Sequence, residues 1–245
     1  LSNSVLGNIR VVLSHTSHPG NIGAAARAMK TMGLSNLFLV NPKLFPDAMA
    51  DAMAAGADDL LANAIVCNSL EQALQGAVLV VGLTARQRGL SHTMLNLREA
   101  APQILARAGD APVAVLFGTE MSGLSNAELE KCQLLITIPV NPEFSSLNLA
   151  AAVQVVAYEL RVLAIAAGPV SKDIPLASFE DVERFYEHLE RTLIEINFLD
   201  PLHPKRLMTR FRRLYARAQL EQEEVNILRG FLKWSGRGRI PKDNS

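Results

Sequence analysis

Short, nearly all-apolar runs recur along the first two-thirds of the chain, and stretches of helical character separate them. The β-rich runs are residues 9–14, 37–40, 65–67, 78–82, 113–117 and 134–138. The helical candidates between them are 24–32, 48–55, 70–74, 97–108 and 126–131. Strands that are apolar throughout need cover on both faces, and their alternation with helices predicts a parallel sheet layered between helices. The expected class is therefore α/β.

One later helix, about 146–167, has a different pattern. Leu147, Leu149, Ala150, Ala151, Ala152, Val153, Val155, Val156 and Ala157 give it apolar surface on nearly every side. Such a helix has to be buried, either in the domain core or against a second subunit. Ser145 and Ser146 at its entry offer hydroxyl caps for the first-turn amides. Gly168 and Pro169 then stop it, and 168–178 reads as a linker between a domain at 1–167 and a helical extension at 179–245. Within that extension, 179–197, 205–219 and 221–234 carry helical spacing, and 236–245 reads as a frayed tail.

Composition fits a well-packed domain, with 49% hydrophobic and 20% charged residues. No uninterrupted apolar run approaches the ~20 residues that cross a bilayer. Nothing near residue 1 resembles a signal peptide, so no membrane association is expected and the cytoplasm is the expected compartment. Cys67 and Cys132 form no CxxC pair and read as reduced packing residues. The formal net charge is zero, but it is unevenly spread. Residues 201–245 hold 11 Lys+Arg against 4 Asp+Glu, while the first 200 residues hold 13 against 20. A basic C-terminal part of this kind points to an anionic partner.

Three segments have the composition of a ligand site. The first runs from His15 through Thr16, Ser17, His18, Pro19, Gly20, Asn21 and Ile22 to Gly23, where small residues at a strand-to-helix turn let a ligand approach backbone amides. A plain tight turn reads the same way. His15 and His18 lack a third ligand nearby, so no metal is expected. Arg27 lies in the alanine-rich stretch that follows and, taken alone, is a side chain snorkelling to the surface. In the second segment, 113–117 empties into Gly118, Thr119, Glu120, Met121, Ser122, Gly123 and Leu124 at the carboxyl edge of the sheet, where open α/β folds bind ligands. Glu120 there is a ligand contact or a solvated loop carboxylate. The third segment, 138–148, is stiffened by Pro139 and Pro142 and ends on the polar Asn148 at the start of the apolar helix.

Together, in this order, the segments resemble the three signature motifs of the SpoU branch of the SPOUT methyltransferases. The first motif is matched by Asn21-x-Gly23-x-x-x-Arg27. The second is matched by Phe117-Gly118-x-Glu120-x-x-Gly123-Leu124, and the third by Ser145-Ser146-Leu147-Asn148-Leu149-Ala150-x-Ala152-Val153. The likeness spans about residues 8–167. The opening Thr16-Ser17-His18-Pro19-Gly20-Asn21 and the basic extension look closest to one bacterial subgroup, whose members methylate the ribose 2′-hydroxyl of nucleotide 32 in the tRNA anticodon loop. Thr119 stands where that subgroup usually carries Arg, and Leu83 replaces a small polar residue.

The resemblance implies a trefoil-knotted parallel sheet, a homodimer through the SPOUT domain, and S-adenosyl-L-methionine as methyl donor. It implies a cofactor site formed by Leu83, Thr84, Ala85, Gly118, Ile138, Ser145, Ser146, Leu147 and Asn148. It implies catalytic duties for Arg27, Asn21, Glu120, Ser146 and Asn148, with Asn21 and Glu120 orienting Arg27. A guanidinium with a pKa above about 12 deprotonates at high cost, so Arg27 is expected to hold a phosphate and stabilise charge on the 2′-oxygen, with base action second. RNA contact is expected from Lys205, Arg206, Arg210, Arg212, Arg213 and Arg217 on one helix, and from Arg86 and Arg88 beside the cofactor loop. The same basic run also reads as a solvated surface. Rival readings are methylation of ribosomal RNA or another tRNA position, and a non-catalytic RNA-binding module. A nucleotide-dependent oxidoreductase is disfavoured, because the sequence lacks GxGxxG.

Overall fold

A computed structural model describes residues 5–85, 94–166 and 176–235. The apolar runs form strands β1 (Ile9–Ser14), β2 (Asn36–Val40), β3 (Ile65–Cys67), β4 (Leu79–Leu83), β5 (Met94–Asn96), β6 (Val113–Phe117) and β7 (Leu134–Thr137). Between them lie helices α1 (Pro19–Met32), α2 (Ala48–Ala54), α3 (Asp58–Ala62), α4 (Leu70–Leu74), α5 (Leu97–Ala108) and α6 (Asn126–Glu130), with α7 (Leu149–Ala166) following β7. The strands make one sheet in the order β3-β2-β1-β6-β4-β7-β5, and every pairing is parallel. Register brings the carboxyl ends level: Leu13 lies beside Leu39 and Phe117, Gly82 beside Leu116, and Leu83 beside Ile136. The loops after β1, β4, β6 and β7 therefore leave the sheet along one edge.

Helix α1 begins at Pro19, five residues earlier than its apolar spacing predicts. Proline suits the first helical position, where its missing N–H leaves no bond unmade, and His18 is the extended residue before it. Gly23, read as part of a turn, is a packing contact inside the helix. A Cβ there would lie 2.0 Å from the carbonyl oxygen of Ala50, so the glycine lets α1 and α2 meet backbone to backbone.

Helix α7 begins at Leu149, and its cap is Asn148 rather than the two serines. The Asn148 Oδ1 accepts from the amides of Ala150 and Ala151 at 2.9 and 3.2 Å. Leu149, Val153, Val156, Ala157 and Leu160 are buried, and the helix packs against α1 and α5. By length and composition alone it would cross a membrane, but its buried side belongs to the sheet's core. Val155, Tyr158, Val162 and Ile165 remain exposed on it. Two short elements, α3 and β5, lay outside the sequence expectations.

Contacts divide the chain into two compact units, 1–173 and 174–245. The second contains α8 (Phe179–Glu195), α9 (Leu207–Ala218) and α10 (Gln222–Ser235). Ser178 caps α8 by accepting from the Asp181 amide. The unit's own core gathers Phe185, Tyr186, Leu189, Leu193, Val225 and Leu232. Helix α9 contributes no fully buried residue, although Phe211 and Tyr215 pack against that core.

Candidate active site

The loops at the sheet edge enclose one cleft. Its walls are Leu83, Thr84 and Ala85 after β4, residues 117–123 after β6, Ile138 and Val140 after β7, and Ser145, Ser146, Leu147, Leu149 and Ala152 at the entry to α7. Eight of the nine residues expected at a cofactor site thus line one cavity. Asn148, the ninth, is absent from the lining and turns instead to Asn21.

The turn after β6 folds back on itself. The amides and carbonyls of Thr119 and Gly123 exchange hydrogen bonds at 3.2 and 3.0 Å, and the Thr119 hydroxyl lies 2.8 Å from that of Ser122. Gly118 is the tightest point: a Cβ would fall 2.1 Å from the carbonyl carbon of Gly123 and 2.2 Å from the amide of Leu124. Thr119, where arginine was the expected residue, serves this turn with its hydroxyl and brings no charge.

Glu120 projects from the turn into a set of donors. It accepts from the Ser17 amide at 3.2 Å, the Ser17 hydroxyl at 2.9 Å, the His18 amide at 3.2 Å and the Asn21 Nδ2 at 3.0 Å. Partial burial favours its neutral form, but the bonds from Asn21, its own backbone and Ser17 prevail and hold the carboxyl at about 2. Asn148 Nδ2 donates in turn to Asn21 Oδ1 at 2.9 Å. A single line of hydrogen bonds therefore runs from α7 through Asn148, Asn21 and Glu120 to the start of α1, and it joins all three motif segments.

Arg27 stands apart from that line. It lies on the exposed side of α1, and among the described residues its side chain makes no hydrogen bond or ion pair. Asn21 and Glu120, the two residues expected to orient it, bond to each other at 3.0 Å. Ser17 was missed as a site residue. The sequence does carry a signal for it, a hydroxyl two positions before a helix-opening proline, where amides lack helical partners.

The basic residues of the C-terminal unit differ in environment. Lys205 and Arg206 precede α9 rather than lying on it, with Lys205 at φ 50° and Arg206 as the residue before the helix. Lys205, Arg206, Arg210 and Arg217 are exposed. Arg212 is committed to the protein: its two terminal nitrogens engage both Glu183 oxygens, and its guanidinium sits 4.4 Å from the Tyr186 ring centre. Arg213 is half-buried. Arg86 and Arg88 lie outside the described residues.

Comparison with known proteins accounts for both units. Residues 8–158 match the SpoU rRNA Methylase family, and residues 180–239 match the C-terminal domain of the tRNA methyltransferase TrmJ. The tRNA (cytidine/uridine-2′-O-)-methyltransferase TrmJ of Pectobacterium atrosepticum is 51% identical over 93% of this chain and 96% of its own. Among solved structures, TrmJ from Z. mobilis ZM4 superposes with a TM-score of 0.81 at 34% identity, covering 92% of this chain and 97% of that one. A probable methylase family protein from Haemophilus influenzae is 42% identical, with a TM-score of 0.65 and coverage of 95% and 97%. With two motif segments lining one cleft, the first bonded to both through Asn21, and relatives matching almost end to end, the chain belongs to the SpoU methylase family, in its TrmJ group.

Proposed function

We propose that this protein transfers a methyl group from S-adenosyl-L-methionine to a ribose 2′-hydroxyl of tRNA, at nucleotide 32 of the anticodon loop, in the cytoplasm. The observation that carries this reading is the cleft at the sheet edge, where the Asn148–Asn21–Glu120 line ties together the segments after β1, β6 and β7.

The residues present suit the cofactor. Leu83, Ile138, Val140, Leu147 and Leu149 offer apolar surface for an adenine, and Ser145 and Ser146 offer hydroxyls for the polar groups. Gly118 keeps the wall free of side chain where the loop is tightest. When bound, S-adenosyl-L-methionine supplies an electrophilic methyl group on a sulfonium, so the protein's task is alignment and charge control. Asn148 fixes the entry of α7, and Asn21 fixes Glu120 against the start of α1. Arg27, exposed on α1, holds the phosphate next to the acceptor ribose and stabilises negative charge developing on the 2′-oxygen. Lys205, Arg206, Arg210 and Arg217 supply phosphate contacts in the C-terminal unit.

The same reading includes a trefoil-knotted backbone and a homodimer. The exposed apolar stripe of Val155, Tyr158, Val162 and Ile165 on α7 supports the dimer, since it leaves one side of that helix without cover. The deciding experiment is transfer of labelled methyl to unmodified tRNA transcripts, followed by mapping of the modified nucleotide. Incorporation at nucleotide 32 is expected. Incorporation elsewhere would move the target, and none into any RNA would overturn the enzyme reading.

A further inference from the structure

The loop after β1 grips the connection between β6 and β7 at two places. That connection carries two carboxylates, Glu120 in the cleft wall and Glu128 in α6, and each takes a serine hydroxyl from residues 14–18. Glu120 Oε2 accepts the Ser17 hydroxyl at 2.9 Å and the Ser17 amide at 3.2 Å, while its Oε1 accepts from His18 and Asn21. Glu128 Oε1 accepts the Ser14 hydroxyl, while its Oε2 takes the Ser125 amide at 2.6 Å and closes the cap of α6. Ser14 is buried, and its hydroxyl oxygen also lies 2.9 Å from His15 Nδ1.

The two sides of this grip differ in how they are fixed. Residues 14–18 are tied to the sheet: the His15 amide donates to the Val40 carbonyl at 2.8 Å, and the Lys43 amide to the Thr16 carbonyl at 3.0 Å. On the other side, Gly118 and Leu124 are buried, but none of residues 119–123 between them is. Met121, Ser122 and Gly123, which line the cleft, are exposed. Packing therefore does little to shape this turn, and hydrogen bonds have to do it. The pair between Thr119 and Gly123 closes the turn without fixing where it sits. The bonds to Ser17 and Ser14 fix that, one inside the turn and one just past it, and a bond to a carboxylate is stronger than one between neutral groups.

We infer that Ser17 and Ser14 are positioning residues for the cofactor cleft: acting through Glu120 and Glu128, they hold the 119–123 wall in the shape that receives the methyl donor. The identity of that donor rests on the proposed function, whereas the grip on the wall does not. Ser17 has the larger share, because its partner lies inside the wall and Glu128 lies beyond it.

Hydrogen–deuterium exchange of the full-length protein reads the wall without any ligand. Ser17 is exposed, so Ser17→Ala opens no cavity. It should speed exchange of the Thr119 and Gly123 amides at least about tenfold, and Ser14→Ala at least about threefold, while core amides such as that of Val115 keep their slow rates. Ser17→Thr, which keeps the hydroxyl, should restore the slow exchange of the wall. Calorimetry should then show S-adenosyl-L-methionine bound at least about fivefold more weakly by Ser17→Ala, and its KM should rise by more than kcat falls. In a Glu120→Ala background the same substitution should weaken binding less than about twofold further, because Ser17 acts through that carboxylate. Unchanged exchange of the wall, or equal acceleration of the wall and the core, would overturn the inference. So would a looser wall with normal cofactor affinity, or the full fivefold loss in the Glu120→Ala background. An unaltered protein that binds no S-adenosyl-L-methionine would sink the proposed function instead, and exchange would still decide whether the serines hold the wall.

Discussion

The loops at the carboxyl edge of the sheet and the basic helix α9 both bring ionised groups together, but they control them differently. At the sheet edge one carboxylate, Glu120, is held by neutral donors: two amides, a hydroxyl and a side-chain amide. Along α9 and its approach Lys205, Arg206, Arg210 and Arg217 are exposed, whereas Arg212 is held by a carboxylate and a ring. Hydrogen bonds from four uncharged donors fix the position of the carboxylate without cancelling its charge, which suits a place where atoms must be aligned. Exposed cations fix no position and extend their field over about 8–10 Å at physiological salt, which suits capture of a large anion. Arg27 has a feature of each, an exposed cation carried on the same helix as Asn21.

Substitutions at these places separate the two modes. Arg27→Ala should lower kcat for methyl transfer by ~10²–10³, as loss of a charge-stabilising donor does, and leave the thermal midpoint almost unmoved because the side chain is exposed. Near-normal turnover would remove Arg27 from the chemistry. Gly118→Ala drives a methyl group into the Gly123 backbone, so S-adenosyl-L-methionine affinity measured by calorimetry should fall at least about tenfold, with about 1–3 kcal/mol of stability lost. In the other region, denaturant unfolding should show Arg212→Ala costing about 1–2 kcal/mol, and Arg210→Ala less than about 0.5. Equal costs would mean that the Glu183 pairing holds nothing.

Glu120 gives the pH test. Its folded value of about 2 lies below the ordinary 4.5, so its contribution to stability is fully present above about 4.5 and is lost as pH falls through about 2. Glu120→Gln lacks that ionisation. The gap in thermal midpoint between the two proteins should therefore be constant near neutrality and close as the pH drops from 4.5 toward 2. A gap independent of pH would mean that shape, not charge, matters at this position. The smallest effect is on salt dependence. Arg210→Ala should reduce the slope of log binding constant against log salt by ~0.7–0.9, one phosphate's share, and leave kcat at saturating tRNA unchanged.

Much of this organisation was legible before any coordinates. The parallel sheet followed from apolar runs, because a strand covered on both faces has no polar face to show. The motif segments were legible because their residue types and order are specific, and eight of the nine residues expected at a cofactor site lie on one cavity. What escaped had physical reasons. Gly20 and Gly23 looked like a turn because glycine lowers helix propensity, but close packing against α2 outweighs that preference locally. Ser145 and Ser146 looked like caps, and Asn148 is one, because any short polar side chain can accept those amides. The pairing of Arg212 with Glu183 was not legible, since Glu183 lies 29 residues away on another helix. Strand β5 is three residues at the sheet margin, paired only with β7, too short for a periodicity to show.

Asn148 has its orientation dictated from both ends. Its oxygen is claimed by the amides that open α7, so its nitrogen must face Asn21, and the Asn21 nitrogen must in turn face the acceptor-only Glu120. The three side chains form a row of aligned dipoles in which no member can take up a proton at one end and release it at the other. The row is an insulator rather than a wire. It conveys where α7 is, and it cannot carry away the proton that the ribose gives up. On the role proposed for Arg27, the proton therefore leaves by the exposed side of α1, where Arg27 lies, and not through this row.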